Sequence, residues 1–210
     1  MKSKGIGLAI IGCGTIGRLR ANLAREHPAV EWLGLCDIDK DLMAKLAADT
    51  DADFTTADFR GLVARPEVTA VIVATDENAH EAPILAAAEQ GHALFIEKPL
   101  ATDPVGSAQV LKAIEANGID AVMGYTQRFR RRFITARQRI RDGQIGDVTT
   151  VVTRAFMNRM VPIATLRRTQ QRAALKSNPS GVRVRPVRDP GTSVPRCLPK
   201  TASTSEAHPP

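Results

Sequence analysis

The sequence predicts a doubly wound α/β fold with a parallel sheet, followed by an incomplete α+β second domain and a disordered tail. Three observations carry that expectation. Apolar strand-like runs alternate with helical periods through residues 1–124. Val68–Ala74 reads as an apolar strand, which suits a parallel sheet covered on both faces. The first strand, Ile6–Ile11, leads without a break into Gly12-x-Gly14-x-x-Gly17, a turn that a strand-to-helix crossover can use.

Each element has its own local reason. Thr15–Glu26 reads as a helix that ends before Pro28, and Glu31–Cys36 as a second strand with Asp37 at its tip. Leu42, Leu46 and Ala47 recur at helical spacing within Asp39–Ala48. A short strand near Ala52–Thr55 and a helix Asp58–Ala64 follow, broken by Arg65-Pro66. Asn78–Gln90 is helical, with Gly91 where a C-terminal cap belongs. Ala93–Ile96 is the next strand and runs into Glu97-Lys98-Pro99. Asp103-Pro104 opens a helix, the acid as N-cap and the proline in the first turn, that continues to Asn117-Gly118. Ala121–Met123 is a further strand, Arg128–Arg141 a basic helix before Gly143, and Val148–Phe156 the first strand of a new domain. The chain thus divides into a first domain over residues 1–124, a junction and incomplete second domain over 125–176, and a tail over 177–210.

Gly12, Gly14 and Gly17 stand where a dinucleotide fold needs them. The first two let the backbone turn tightly and approach a pyrophosphate, and Gly17 lets the next helix pack close to the sheet. The helix head, with Thr15 and Ile16, then offers free amide hydrogens to the phosphates. Asp37, twenty residues beyond Gly17, is placed to accept hydrogen bonds from an adenosine ribose. The plainer alternative is a glycine-rich turn in some other α/β domain.

Charge and composition narrow the classes. The net charge of +7 is unevenly spread. Residues 1–150 hold 18 Lys and Arg against 20 Asp and Glu, a net of −2, whereas residues 151–210 hold 11 against two, a net of +9. Seven of the thirteen prolines lie between Pro179 and Pro210. That tail lacks aromatic residues and periodic apolar positions, so it cannot offset its chain entropy and is expected to be disordered. Without aromatics for base stacking it also argues against nucleic acid as a partner. No 18-residue apolar run exists, and the strand follows Met1-Lys2-Ser3-Lys4 directly, so no membrane span or signal peptide is expected. Cys13, Cys36 and Cys197 lack metal-ligand spacing, which suits a reduced, cytoplasmic setting and no metal.

Two further clusters sit at strand ends, outside which ligands bind in open parallel sheets. One is Thr75-Asp76-Glu77-Asn78-Ala79-His80, and the other Glu97-Lys98-Pro99. A lysine at Lys98 can give a proton or hydrogen bond to a substrate oxygen while a hydride moves to or from nicotinamide. Glu97 either positions it or is simply solvated. His80, on a helix with Pro83 and Ile84, suits a structural place at the helix head better than catalysis, and Asp76, Glu77 and Asn78 suit capping. The seven arginines of Arg128–Arg141 read as a solvated helix face.

Taken together, these motifs resemble the Gfo/Idh/MocA family of NAD(P)-dependent oxidoreductases, whose first half is a Rossmann-type domain. The likeness rests on Ile11–Gly17, Asp37, Val71–Thr75 with His80, and Glu97-Lys98-Pro99-Leu100-Ala101, supported by Gly124–Phe129 and Gly143–Val148. It covers about residues 5–160. The resemblance implies that Gly12, Gly14 and Gly17 hold the pyrophosphate, with Thr15 and Ile16 beside them. It implies that Asp37 binds the ribose and favours NAD over NADP by repelling a 2′-phosphate. Thr75, Asn78 and His80 would line the nicotinamide side, and Glu97 and Lys98 would face nicotinamide and substrate, with Lys98 catalytic. The Lys98-Pro99 bond is open to a cis geometry. One departure is Asp76, where the family usually has proline.

Family members run well beyond this length, and their second domain supplies the substrate pocket, oligomer contacts and an Asp/His pair. Here the likeness continues through Val148–Phe156 and stops before Arg167, and His208 is the only later histidine. The expectation is therefore a truncated or frameshifted product. Two functions compete: an oxidoreductase acting on a polyol or sugar-like hydroxyl, catalytically incomplete here, and a non-enzymatic NAD-binding remnant. Oligomers are expected in the family and are doubtful for this chain.

Overall fold

The computed structural model describes residues 5–154 and 156. Six strands form one parallel sheet: β1 (Ile6–Ile11), β2 (Val30–Cys36), β3 (Phe54–Thr56), β4 (Ala70–Val73), β5 (Ala93–Ile96) and β6 (Ala121–Met123). Their order is β3-β2-β1-β4-β5-β6, and every neighbouring pair is parallel. The chain winds outward from β1 in one direction, returns to β4, and winds outward in the other. This is the Rossmann-type doubly wound sheet that the alternation of elements predicts.

The helices are α1 (Thr15–Arg25), α2 (Lys40–Thr50), α3 (Phe59–Val63), α4 (Glu81–Glu89), α5 (Pro104–Asn117) and α6 (Arg131–Arg141). Alternate residues of β1 explain why both sheet faces are covered. Leu8 and Ile10 join Leu33 and Leu35 under Ala21 and Ala24 of α1 and Met43 and Leu46 of α2. Ala9 and Ile11 point the other way and join Val71, Val73, Leu94 and Ile96 under Leu62, Ile84, Ala87 and Val110 from α3, α4 and α5. Side chains on successive residues of a strand face opposite ways, so a strand with helices on both sides reads as a continuous apolar run.

Caps set the helix starts. Asp39, Asp58 and Asp103 accept hydrogen bonds from the amides of Leu42, Arg60 and Gly106 at 2.9–3.0 Å. Pro104 occupies the first turn of α5, and Gly118 closes it at φ +59°. Among the described residues no helix is long and apolar enough to cross a membrane.

Three expectations are corrected. Asn78–Gln90 is not one helix: Glu77–Ala79 is a 3₁₀ turn and α4 begins at Glu81, because the Ala79 amide bonds back to Asp76 at the tighter three-residue spacing. The basic helix begins at Arg131 after another 3₁₀ turn, Thr126–Phe129. The strand expected at Val148–Phe156 is absent among its described residues, 148–154 and 156. A strand persists through ladder bonds, and every described strand takes its partners from β1–β6.

The chain separates into two units, Met1–Val148 and Thr149–Pro210. The first holds all the elements above. In the second the described residues carry no regular structure. The expected tail over 177–210, Cys197 and His208 lie outside the described residues.

Candidate functional site

The carboxyl ends of the strands are tied together step by step. The Gly12 amide donates to Cys36 O at 2.8 Å, Ala74 to Ile11 O at 2.8 Å, Glu97 to Val73 O at 2.9 Å, and Gly124 to Ile96 O at 2.7 Å. Each loop thus starts on the last carbonyl of a neighbouring strand. The glycine loop, Asp37, Thr75–His80 and Glu97-Lys98 are brought to one edge of the sheet. That edge contains the switch point between β1 and β4, where ligands of open α/β sheets bind.

The three glycines have different reasons. Gly12 has φ +100°, and a Cβ there would lie 2.5 Å from Ala74 O. A Cβ on Gly17 would lie 1.7 Å from Gly12 O, so only glycine lets α1 sit this close to the loop. Gly14 is different: a Cβ there would meet nothing within 4 Å. The protein's own packing does not require glycine at 14, and its bareness leaves the head of α1 open. Among the described residues no side chain caps α1, and no acid lies in its first turn. Thr15 and Ile16 are exposed there. These donors and the helix dipole fit the pyrophosphate of a dinucleotide.

Asp37 is half-buried at the tip of β2. Its Oδ2 accepts from the Cys13 amide at 2.6 Å and its Oδ1 from the Asp39 amide at 2.9 Å. The carboxylate therefore braces the glycine loop, and each oxygen keeps a lone pair for a ribose hydroxyl. It also acts on two buried thiols. Burial, reinforced by the Asp37 charge, pushes Cys13 and Cys36 from the ordinary 9.0 up to about 12. Both thiols are therefore expected to resist iodoacetamide at pH 8 until the protein is unfolded, as peptide mass analysis would show. The unfolded chain loses these protons near pH 9 and the folded one near 12, so stability falls as pH rises through that window. Urea denaturation at a series of pH values measures the decline.

His80 is 1% exposed. Its Nδ1 lies 3.1 Å from Asp76 O and 3.4 Å from Thr75 Oγ1, while Nε2 is buried without a partner among the described residues. Burial holds its pKa below the usual value, against the opposing charges of Glu77, Asp76 and Glu97. The ring stands neutral at the head of α4. Thr75 is half-buried and Asn78 exposed in the 3₁₀ turn.

At the end of β5, Lys98 is exposed and its bond to Pro99 is cis. Glu97 is 9% exposed and is paired with Arg20 of α1. Arg20 Nε and Nη2 lie 2.9 and 2.5 Å from the same oxygen, Glu97 Oε1. The guanidinium also stacks 4.7 Å from the centre of the Phe95 ring. Sequence reasoning missed Arg20. It lies 77 residues from its partner, inside a helix whose other arginines are solvated or surface-paired, and no local spacing marks it.

An open helix head at a sheet switch point, beside a braced acid and a strand-end lysine, suits a nucleotide-binding α/β domain. Residues 6–125 match the Gfo/Idh/MocA model, described as an oxidoreductase family with an NAD-binding Rossmann fold. The chain belongs to this family. An inositol 2-dehydrogenase/D-chiro-inositol 3-dehydrogenase of Shouchella clausii is 33% identical over 147 residues, 67% of this chain and 41% of the relative. A 2,7-anhydro-N-acetylneuraminate hydratase of Mediterraneibacter gnavus is 30% identical over 145 residues, 69% of this chain and 38% of that protein. In fold, the chain resembles scyllo-inositol dehydrogenase of Lactobacillus casei, solved with NAD(H) and scyllo-inositol, at TM-score 0.66 and 23% identity over 70% of this chain and 44% of that one. The chain spans about two fifths of the length of the curated relatives it matches.

Proposed function

We propose that this chain is the cofactor half of an NAD-dependent oxidoreductase acting on a polyol or sugar-like hydroxyl. The observation that carries the reading is the convergence of the open Gly14 cradle, Asp37 and Lys98 on one sheet edge. Gly12, Gly14, Thr15, Ile16 and Gly17 would receive the pyrophosphate at the head of α1. Asp37 would accept the ribose hydroxyls and disfavour a 2′-phosphate through charge repulsion. Thr75, Asn78 and His80 would flank the nicotinamide side of the site. A bound nicotinamide supplies the hydride acceptor or donor. Lys98 gives or takes the proton at the substrate oxygen, and Glu97 stands behind it. The two buried free thiols, Cys13 and Cys36, support a reduced, cytoplasmic setting.

A second reading, a non-enzymatic NAD-binding remnant, is favoured by one observation: the likeness to relatives covers 145–147 residues and under half of their length. The hydratase among the relatives also leaves the substrate and reaction open to variation within the family. Fluorescence titration with NADH and NADPH, followed by turnover with NAD⁺ on a polyol panel, separates the readings. NADH is expected to bind roughly ten-fold or more tighter than NADPH, as removal of one charge repulsion implies. Binding with turnover supports the oxidoreductase, binding without turnover supports the remnant, and no binding overturns both.

A further inference from the structure

We infer that Arg20 is a positioning residue of the cofactor site: through Glu97 it holds the strand-end turn bearing Lys98 and neutralises the buried carboxylate there. The inference rests on the dinucleotide reading above. Glu97 is a charged group with little access to water, and a buried carboxylate is retained only with a partner and hydrogen bonds. Arg20 supplies two donors to Oε1 and is itself held on the Phe95 ring, one residue before the last of β5. The other flank of Glu97 is closed by Gly124, where a Cβ would stand 2.9 Å from Oε2. The ion pair thus links α1, whose head forms the anion cradle, to the end of β5, where Lys98 emerges. The proposed pyrophosphate and nicotinamide parts of the site are thus joined by this ion pair.

The pair is net neutral, so it presents no charge to distinguish oxidised from reduced nicotinamide. Breaking it in one direction should create that distinction. In Glu97→Gln the shape is kept, but the Arg20 guanidinium is left without its carboxylate partner and held by Phe95. NAD⁺, whose nicotinamide is cationic, should then bind more weakly relative to NADH.

The test compares dissociation constants of NAD⁺ and NADH for four full-length chains by isothermal titration. In Glu97→Gln the NAD⁺/NADH ratio of dissociation constants is expected to rise roughly five-fold or more over wild type, from one uncompensated charge in a partly solvated site. In Arg20→Met/Glu97→Gln it should return to within roughly two-fold of wild type, because no charge remains. In Arg20→Lys/Glu97→Gln, which keeps the charge without the fork, it should stay raised. This third variant preserves the test if the methionine variant does not fold. A merely structural role would weaken both forms alike and leave the ratio unchanged in every variant, overturning the inference while the dinucleotide reading stands. Wild-type protein that binds neither form overturns the dinucleotide reading and this inference with it.

Discussion

Gly17→Ala is expected to lower the unfolding free energy by about 3 kcal/mol or more and the melting temperature by roughly 10 °C. The added methyl would lie 1.7 Å from the carbonyl oxygen of Gly12, in a peptide unit held by the bond from the Cys13 amide to Asp37. It cannot swing aside as a side-chain end would. Either α1 lifts from the sheet, exposing Ala21 and Ala24, or the glycine loop opens. Gly14→Ala is the matched control. Its methyl meets nothing within 4 Å, and the backbone there has φ −64°, so the fold should keep its stability within about 0.5 kcal/mol. Under the NAD reading, the same methyl would stand where the pyrophosphate approaches the head of α1, and NADH affinity should fall roughly ten-fold or more. Thermal melts and NADH titration of the two variants read the effects separately. Equal stability loss in both would contradict the division of roles among the glycines.

Asp37→Ala carries the second large effect, expected at about 2–3 kcal/mol of stability. The substitution strands the Cys13 amide, which lies in a fully buried residue, and releases the Asp39 amide at the start of α2. An unpaired buried donor costs about 1–3 kcal/mol, and here the lost acceptor is charged. Asp37→Asn keeps one acceptor oxygen and should cost about half as much. Removing the charge also removes one of the forces that raise the two thiols, so Cys13 and Cys36 should ionise at lower pH than in wild type. Thiol alkylation rates against pH, with urea melts on the same variants, test both consequences. Under the NAD reading, Asp37→Ala should further narrow the gap between NADH and NADPH affinity.

The part of this fold that was legible in the sequence is the part governed by local rules. Gly12 and Gly17 are placed by the turn and the close helix packing, Asp103-Pro104 and Gly118 by the cap geometry of α5, and Ile6–Ile11 by burial on both faces. Glu97-Lys98-Pro99 stood out because a charged pair directly follows an apolar strand. What the sequence concealed depends on contacts distant along the chain. Arg20 has no periodic signature, and its pairing with Glu97 exists only because the fold brings α1 within reach of the end of β5. The sequence marks Asp37 as a candidate ligand-side acid, but its bond to the Cys13 amide, which makes it a brace, requires β1 and β2 to be neighbours. His80 was legible as a helix-head residue, whereas its burial was hidden among polar neighbours in sequence. Val148–Phe156 failed for the converse reason: apolar β-formers alone do not make a strand without a ladder partner.

The pairing of β1 with β4 has a kinetic meaning. Gly7 and Thr69, 62 residues apart, are hydrogen-bonded, and Ala74 lies against the carbonyl that ends β1. A parallel pair of this separation forms late, since the loop-closure entropy must be met before any ladder bond repays it. The conformation of Gly12 depends on that pairing, because Ala74 O occupies the space beside it. Assembly of the phosphate cradle and closure of the sheet centre are therefore one event along the folding route. Under the NAD reading, a bound dinucleotide would prolong the lifetime of the folded state by slowing unfolding and leave the rate of folding nearly unchanged.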